Sequence, residues 1–159
     1  MRMNGKVIES FSAASVNVLS QLGFCGVSVG KVENYGKQFD SPGVVVIIGV
    51  IGDLHGNVLY TLSKEDAKSV ASTMMGGMPL EEFDEMAQSA VSELTNMLAA
   101  NACSELALRE IQCDISTPTL VHGTFTATAS CGDFTRVEFK AGEISLSVLL
   151  TLDEKERKL

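Results

Sequence analysis

Between Leu80 and Arg109 the chain contains neither glycine nor proline, and its apolar residues keep a helical period at Ala87, Ala90, Val91, Leu94, Leu98, Ala102 and Leu106. The spacing predicts one long helix, running from near Leu80 to about Arg109, with a single apolar side. Such a helix needs a broad partner to cover that side. The flanking segments offer one. Val44 to Val50 is continuously apolar and reads as a central strand, Val58 to Leu62 as its neighbour, and Ile144, Leu146, Val148, Leu150 and Leu152 alternate as a half-buried final strand does. A first strand is expected from about Phe24 to Asn34, and the charged tail from Asp153 to Leu159 is expected to fray or form a short exposed turn.

A second helix pattern opens the chain. Val7, Ile8, Phe11, Ala14, Val18, Leu19 and Leu22 recur at helical spacing from Asn4 until Gly23 stops them. Ser63, followed by Glu65 and Asp66, marks the start of a short helix, which Met74-Met75-Gly76-Gly77-Met78-Pro79 breaks. The order is therefore helix, three strands and a connecting helix, then the long helix and three or four strands, which reads as a duplicated unit. The fold class expected is α+β, with two long helices packed on one face of a largely antiparallel sheet. With 159 residues and 45% apolar content, residues 1–159 are expected to form one domain without disulfide or metal staples.

Several function classes drop out. A net charge of −8 and the lack of any Lys or Arg block leave no electrostatic footprint for nucleic acid. No apolar run follows the N-terminal Met1-Arg2-Met3-Asn4-Gly5-Lys6, and Val44 to Ile51 is too short for a membrane helix, so a cytoplasmic protein without membrane insertion is expected. Cys25, Cys103, Cys113 and Cys131 form no Cys-x-x-Cys pair and read as reduced, packed thiols. His55 and His122 lack neighbours at ligand spacing, so no metal is expected on the chain. Gly49-Val50-Ile51-Gly52 and Met75-Gly76-Gly77-Met78 lack the spacing of a dinucleotide-binding turn.

The chemistry-bearing pattern lies on the long helix. Ser89, Glu93 and Asn96 span about 60° of one face at 100° per residue, opposite Ala87, Val91, Leu94 and Leu98. Ala100 and Cys103 continue that face with small side chains, which would let another molecule approach closely. Ser89-x-x-x-Glu93-x-x-Asn96, with Pro118 further along, resembles the signature of the CheC, CheX and FliY family of phosphatases. The interval from Asn96 to Pro118 is the least exact part of the match. Near the first helix, Ser10-x-x-x-Ala14-x-x-Asn17 echoes the pattern without its glutamate, which favours the single-site CheX branch over the two-site CheC branch.

The resemblance implies hydrolysis of the aspartyl phosphate on a CheY-type response regulator, with Mg2+ and a lysine supplied by that partner and no cofactor on this chain. It assigns Asn96 to orient the attacking water, Glu93 to pair with the partner's lysine, and Ser89 and Pro118 to the contact surface. It also implies a homodimer whose sheets join. The alternative is a non-catalytic module that binds a response regulator or the flagellar switch.

Overall fold

Asp84, not Leu80, starts the long helix. In the computed structural model, which describes residues 5–129 and 132–154, the Asp84 carboxylate accepts a hydrogen bond from the Ala87 amide at 2.9 Å and caps α3 (Glu85–Leu108). A capping carboxylate satisfies an orphan helix donor and favours the positive end of the helix, so the breaker-free residues before it remain outside. The first helix, α1 (Gly5–Gln21), buries Val7, Phe11, Ala14, Val18 and Leu19, and Gly23 beyond it has φ 91°. Phe24 turns into the core next, so β1 (Val27–Gly36) starts later than the expected Phe24.

A three-residue strand, β2 (Gln38–Asp40), precedes the central pair β3 (Gly43–Gly52) and β4 (Leu54–Ser63). Ser63 Oγ accepts from the Asp66 amide and caps α2 (Lys64–Met74). After α3 come β5 (Cys113–Ile115), β6 (Thr119–His122), β7 (Thr126–Thr128), β8 (Phe134–Ala141) and β9 (Ile144–Glu154). Strand β4 begins at Leu54 and pairs with β9 through Leu54↔Glu154, so Asp153 and Glu154 belong to the sheet and not to a frayed tail. Residues 155–159, like Cys131, lie outside the described residues.

The main sheet is antiparallel, ordered β1-β8-β9-β4-β3, with β5 and β6 sharing the outer side of β3. Alternation decides the layers. Val44, Val46, Ile48 and Val50 face the main core beneath the helices, whereas Val45 joins Leu59, Phe134, Leu149 and Phe39 in a small cluster on the other face. There the β2–β7 ribbon brings Phe39 edge-on to Phe134, with ring centroids 5.2 Å apart.

The duplicated unit expected from the sequence is visible in the pairing. Exchange of the two halves maps β1·β8 onto the β5–β6 pairing with β3, while β4 meets β9 and β2 meets β7 across the exchange. The first half holds one strand more than expected, because the short β2 lay in a segment that read as a loop, and the second holds five where three or four were expected, because the stretch before Gly123 is split into β5 and β6.

Candidate active site

Helix α3 sorts its residues by the side that meets the core. Ala87, Val91, Leu94 and Leu98 are buried, Ser89 and Glu93 are exposed, and Asn96 is half-buried. Facing this polar stripe is the link between β5 and β6. Val50 pairs with Ile115 and Ile47 pairs with Thr119, so Ser116, Thr117 and Pro118 stand opposite only Ile48 and Gly49. The surplus residue makes a β-bulge, which pushes the link out of the ladder. Between helix and bulge runs an open groove of about 770 Å3, lined by Ser89, Glu93 and Asn96 on one wall and Ser116, Thr117 and Pro118 on the other. All four residues singled out in the sequence thus share one groove.

The groove's polar groups differ in how far the fold uses them. Gln88 Nε2 donates to the Phe83 carbonyl at 3.0 Å and holds the loop before α3. The carbonyl of Ser92 accepts from Oγ1 of Thr95, which is buried behind the groove, at 2.9 Å. Among the described residues the side chains of Glu93 and Asn96 have no hydrogen bond or ion pair. Their acceptors, and the Asn96 amide donors, remain available to a visitor. Among the described residues no Lys or Arg lines the groove, and the charged ones that do are Glu85 and Glu93. Such a surface suits a cation and a hydrogen-bonded water, and has nothing to offset the charge of a free phosphate. Gln88, Ser92, Ser116 and Thr117 were not singled out in the sequence. Gln88 and Ser92 continue the same helical spacing, and Ser116 and Thr117 adjoin Pro118.

Two sequence expectations need correction. Ala100 is exposed as expected, but Cys103 does not continue an open face, because Cys113 of β5 covers it. Burial, with the neighbouring Cys113 next in importance, pushes the Cys103 thiol up to about 12, and burial also raises Cys113. Cys25 is exposed rather than packed, since it lies in the turn between α1 and β1. On α1, Ser10 and Ala14 are fully buried, with Ser10 Oγ bound to the Lys6 carbonyl at 2.8 Å, and only Asn17 reaches the surface. The echoed pattern therefore faces the core, and α1 presents no second site.

The family described as chemotaxis phosphatase CheX matches residues 44–142. A CheY-P phosphatase CheX of Thermotoga maritima is 41% identical over 80 residues, which is 50% of this chain and 52% of that protein, so the match spans about half of each. A solved chemotaxis protein from Desulfovibrio vulgaris Hildenborough superimposes with a TM-score of 0.81 at 25% identity, covering 96% of this chain and all 100% of that one. A CheX from Borrelia burgdorferi, solved in complex with CheY, BeF3 and Mg2+, superimposes with a TM-score of 0.76 at 22% identity over 96% of this chain and 100% of its own. No helix among the described residues is long and apolar enough to cross a membrane.

Proposed function

The chain belongs to the CheX family of chemotaxis phosphatases, and from that premise we propose that it hydrolyses the aspartyl phosphate of a CheY-type response regulator. The observation that carries the reading is the pair of side chains uncommitted among the described residues, Glu93 and Asn96, facing a groove that no described Lys or Arg lines. An aspartyl phosphate is a mixed anhydride, already activated. The described residues of the groove bring no cation to it, so the partner supplies the charge that the transferring phosphoryl group requires, as the CheY with BeF3 and Mg2+ in the Borrelia complex is equipped to do.

What remains for this chain is placement. The Asn96 carboxamide accepts from and donates to a water without titrating, and so holds the nucleophile in line with the scissile bond. Glu93 pairs with a lysine beside the partner's phosphorylated aspartate, aligning the two proteins. Ser89 and Pro118 border the contact from opposite walls.

A homodimer belongs to the same reading. Among the described residues strand β1 pairs only with β8, which leaves its other edge open, and Val29, Val32 and Tyr35 on it are exposed. Joining two sheets along β1 covers an edge that would otherwise recruit unrelated strands. Sedimentation equilibrium at tens of micromolar tests it, and a species of 16.9 kDa alone would remove the dimer from the proposal.

The activity is tested with radiolabelled phospho-regulator under single-turnover conditions. Asn96→Ala should bind within a few-fold of wild type and hydrolyse roughly 100-fold more slowly, because the loss falls on the transition state. Glu93→Ala should weaken binding as well, since it leaves a desolvated lysine without its partner. A stable complex that never turns over would put a pure binding module in place of the hydrolase. Full hydrolysis by Asn96→Ala would overturn the role of the carboxamide.

A further inference from the structure

We propose that Ser116, paired with Gly49, is a positioning residue that sets the height of the Thr117-Pro118 wall opposite Asn96; the claim rests on the hydrolase reading above. The bulge deprives β3 of a regular ladder partner at Gly49. Ser116 replaces it on both sides: its amide donates to the Gly49 carbonyl at 2.9 Å, and its hydroxyl oxygen accepts from the Gly49 amide at 2.8 Å. The same hydroxyl donates onward to the Thr117 carbonyl at 3.3 Å. One side chain thus ties a central strand to the backbone of the groove wall.

Glycine at position 49 fits this device. A Cβ built there would stand 3.2 Å from Ser116 Oγ and 3.6 Å from Ser116 Cβ. Any larger residue presses on the hydroxyl that makes the tie, whereas an alanine at position 116 would leave only ordinary contact. Gly49 does not have a positive φ, so close approach and not backbone conformation favours glycine. With the tie in place, Thr117 and Pro118 are held at the groove facing Glu93 and Asn96. Without it, the three-residue link keeps its ends in β5 and β6 but loses its midpoint anchor. In-line attack depends on water placement to within about 1 Å, so a loose wall should lower turnover more than docking.

The experiment compares wild type, Ser116→Ala, Ser116→Thr, Gly49→Ala and the Gly49→Ala/Ser116→Ala double variant. Each is read by single-turnover hydrolysis of phospho-regulator, by affinity for the regulator, and by amide exchange at Gly49. Ser116→Ala should lower hydrolysis about 10-fold with affinity within about 3-fold of wild type, and Ser116→Thr, which keeps the hydroxyl, should restore most of the rate. Gly49→Ala should resemble Ser116→Ala, and the double variant should be no slower than Ser116→Ala alone, because both changes break one contact. Wild-type hydrolysis by Ser116→Ala, or fully additive losses in the double variant, would overturn the proposal. A loss matched by faster exchange throughout the sheet would do so too, by making the role merely structural. If the wild-type chain does not hydrolyse the regulator, the functional reading fails. The tie itself is then decided by Gly49 exchange, which should accelerate about 10-fold in Ser116→Ala if the hydroxyl holds it and stay unchanged if not.

Discussion

Replacing Ala14 by glutamate would complete on α1 the pattern that α3 carries at Ser89, Glu93 and Asn96, yet the expected product is a damaged core. Ala14 is 0% exposed and lies in the main hydrophobic cluster. Its polar neighbours Ser10 and Ser15 have hydroxyls already bound to the Lys6 and Phe11 carbonyls. Arg109, the cation on the adjoining α3 end, is engaged by Glu9 and Glu105. Among the described residues the introduced carboxylate therefore meets no counter-charge, and burial should raise its pKa by about 3–4 units. At about 1.4 kcal/mol per unit this costs roughly 4 kcal/mol at pH 7.5. Overpacking adds about 1–3 kcal/mol. The sum approaches the whole stability of an ordinary domain, about 5–15 kcal/mol.

The sign with pH is fixed by linkage. A folded-state pKa above the unfolded value means that the folded chain holds the proton longer, so the penalty is absent below the unfolded pKa and grows as pH rises toward the folded one. Urea unfolding of Ala14→Glu and wild type, each at pH 7.5 and pH 5.0, should show the difference between them shrinking by about 3 kcal/mol at the lower pH. A variant as stable as wild type at both values, with phosphatase activity doubled per chain, would refute the reasoning and show α1 capable of presenting a site.

Three further outcomes are expected. Gly56 has φ 142° and a Cβ there would run into the Thr151 carbonyl in the β4–β9 pair, so Gly56→Ala should lose at least about 3 kcal/mol in denaturant unfolding; a loss below about 1 kcal/mol would contradict the packing described. Tyr60 is fully buried and its hydroxyl has no hydrogen-bond partner among the described residues, so Tyr60→Phe should leave stability unchanged or raise it by up to about 1 kcal/mol. A clear loss in the same assay would mean that the hydroxyl has a partner. Iodoacetamide at pH 8 should label the exposed Cys25 well before Cys103, whose thiol is pushed up to about 12, and peptide mass mapping that found Cys103 labelled first would contradict its burial.

The α3 side of the groove was legible because helical spacing is local: three residues at i, i+4 and i+7 share a face whatever packs behind them. Pro118 was placed only through a resemblance, and its wall depends on the pairing of Gly49 with Ser116, which are 67 positions apart. No local pattern encodes that register. The start of α3 at Asp84 was readable as a capping signal, but the absence of breakers upstream masked it. Cys103 failed for a similar reason. Its place on a helix face was evident, but whether β5 covers that face is decided by tertiary packing, whereas Ala14 lies buried as the apolar spacing of the first helix predicts.

The strand order has a consequence for how the proposed assembly would work. Strand β1 lies at one edge of the sheet, and β5 and β6, which carry the groove wall, lie at the other. Two copies joined along β1 would form one continuous sheet with a groove at each far end. At about 4.8 Å between strands, the two grooves would stand roughly 50 Å apart, minus what the twist takes back. No single receiver domain could touch both. Each groove would turn over independently, giving hyperbolic kinetics and a stoichiometry of one regulator per chain, and the pair would gain from avidity only where regulators are themselves held together at comparable spacing.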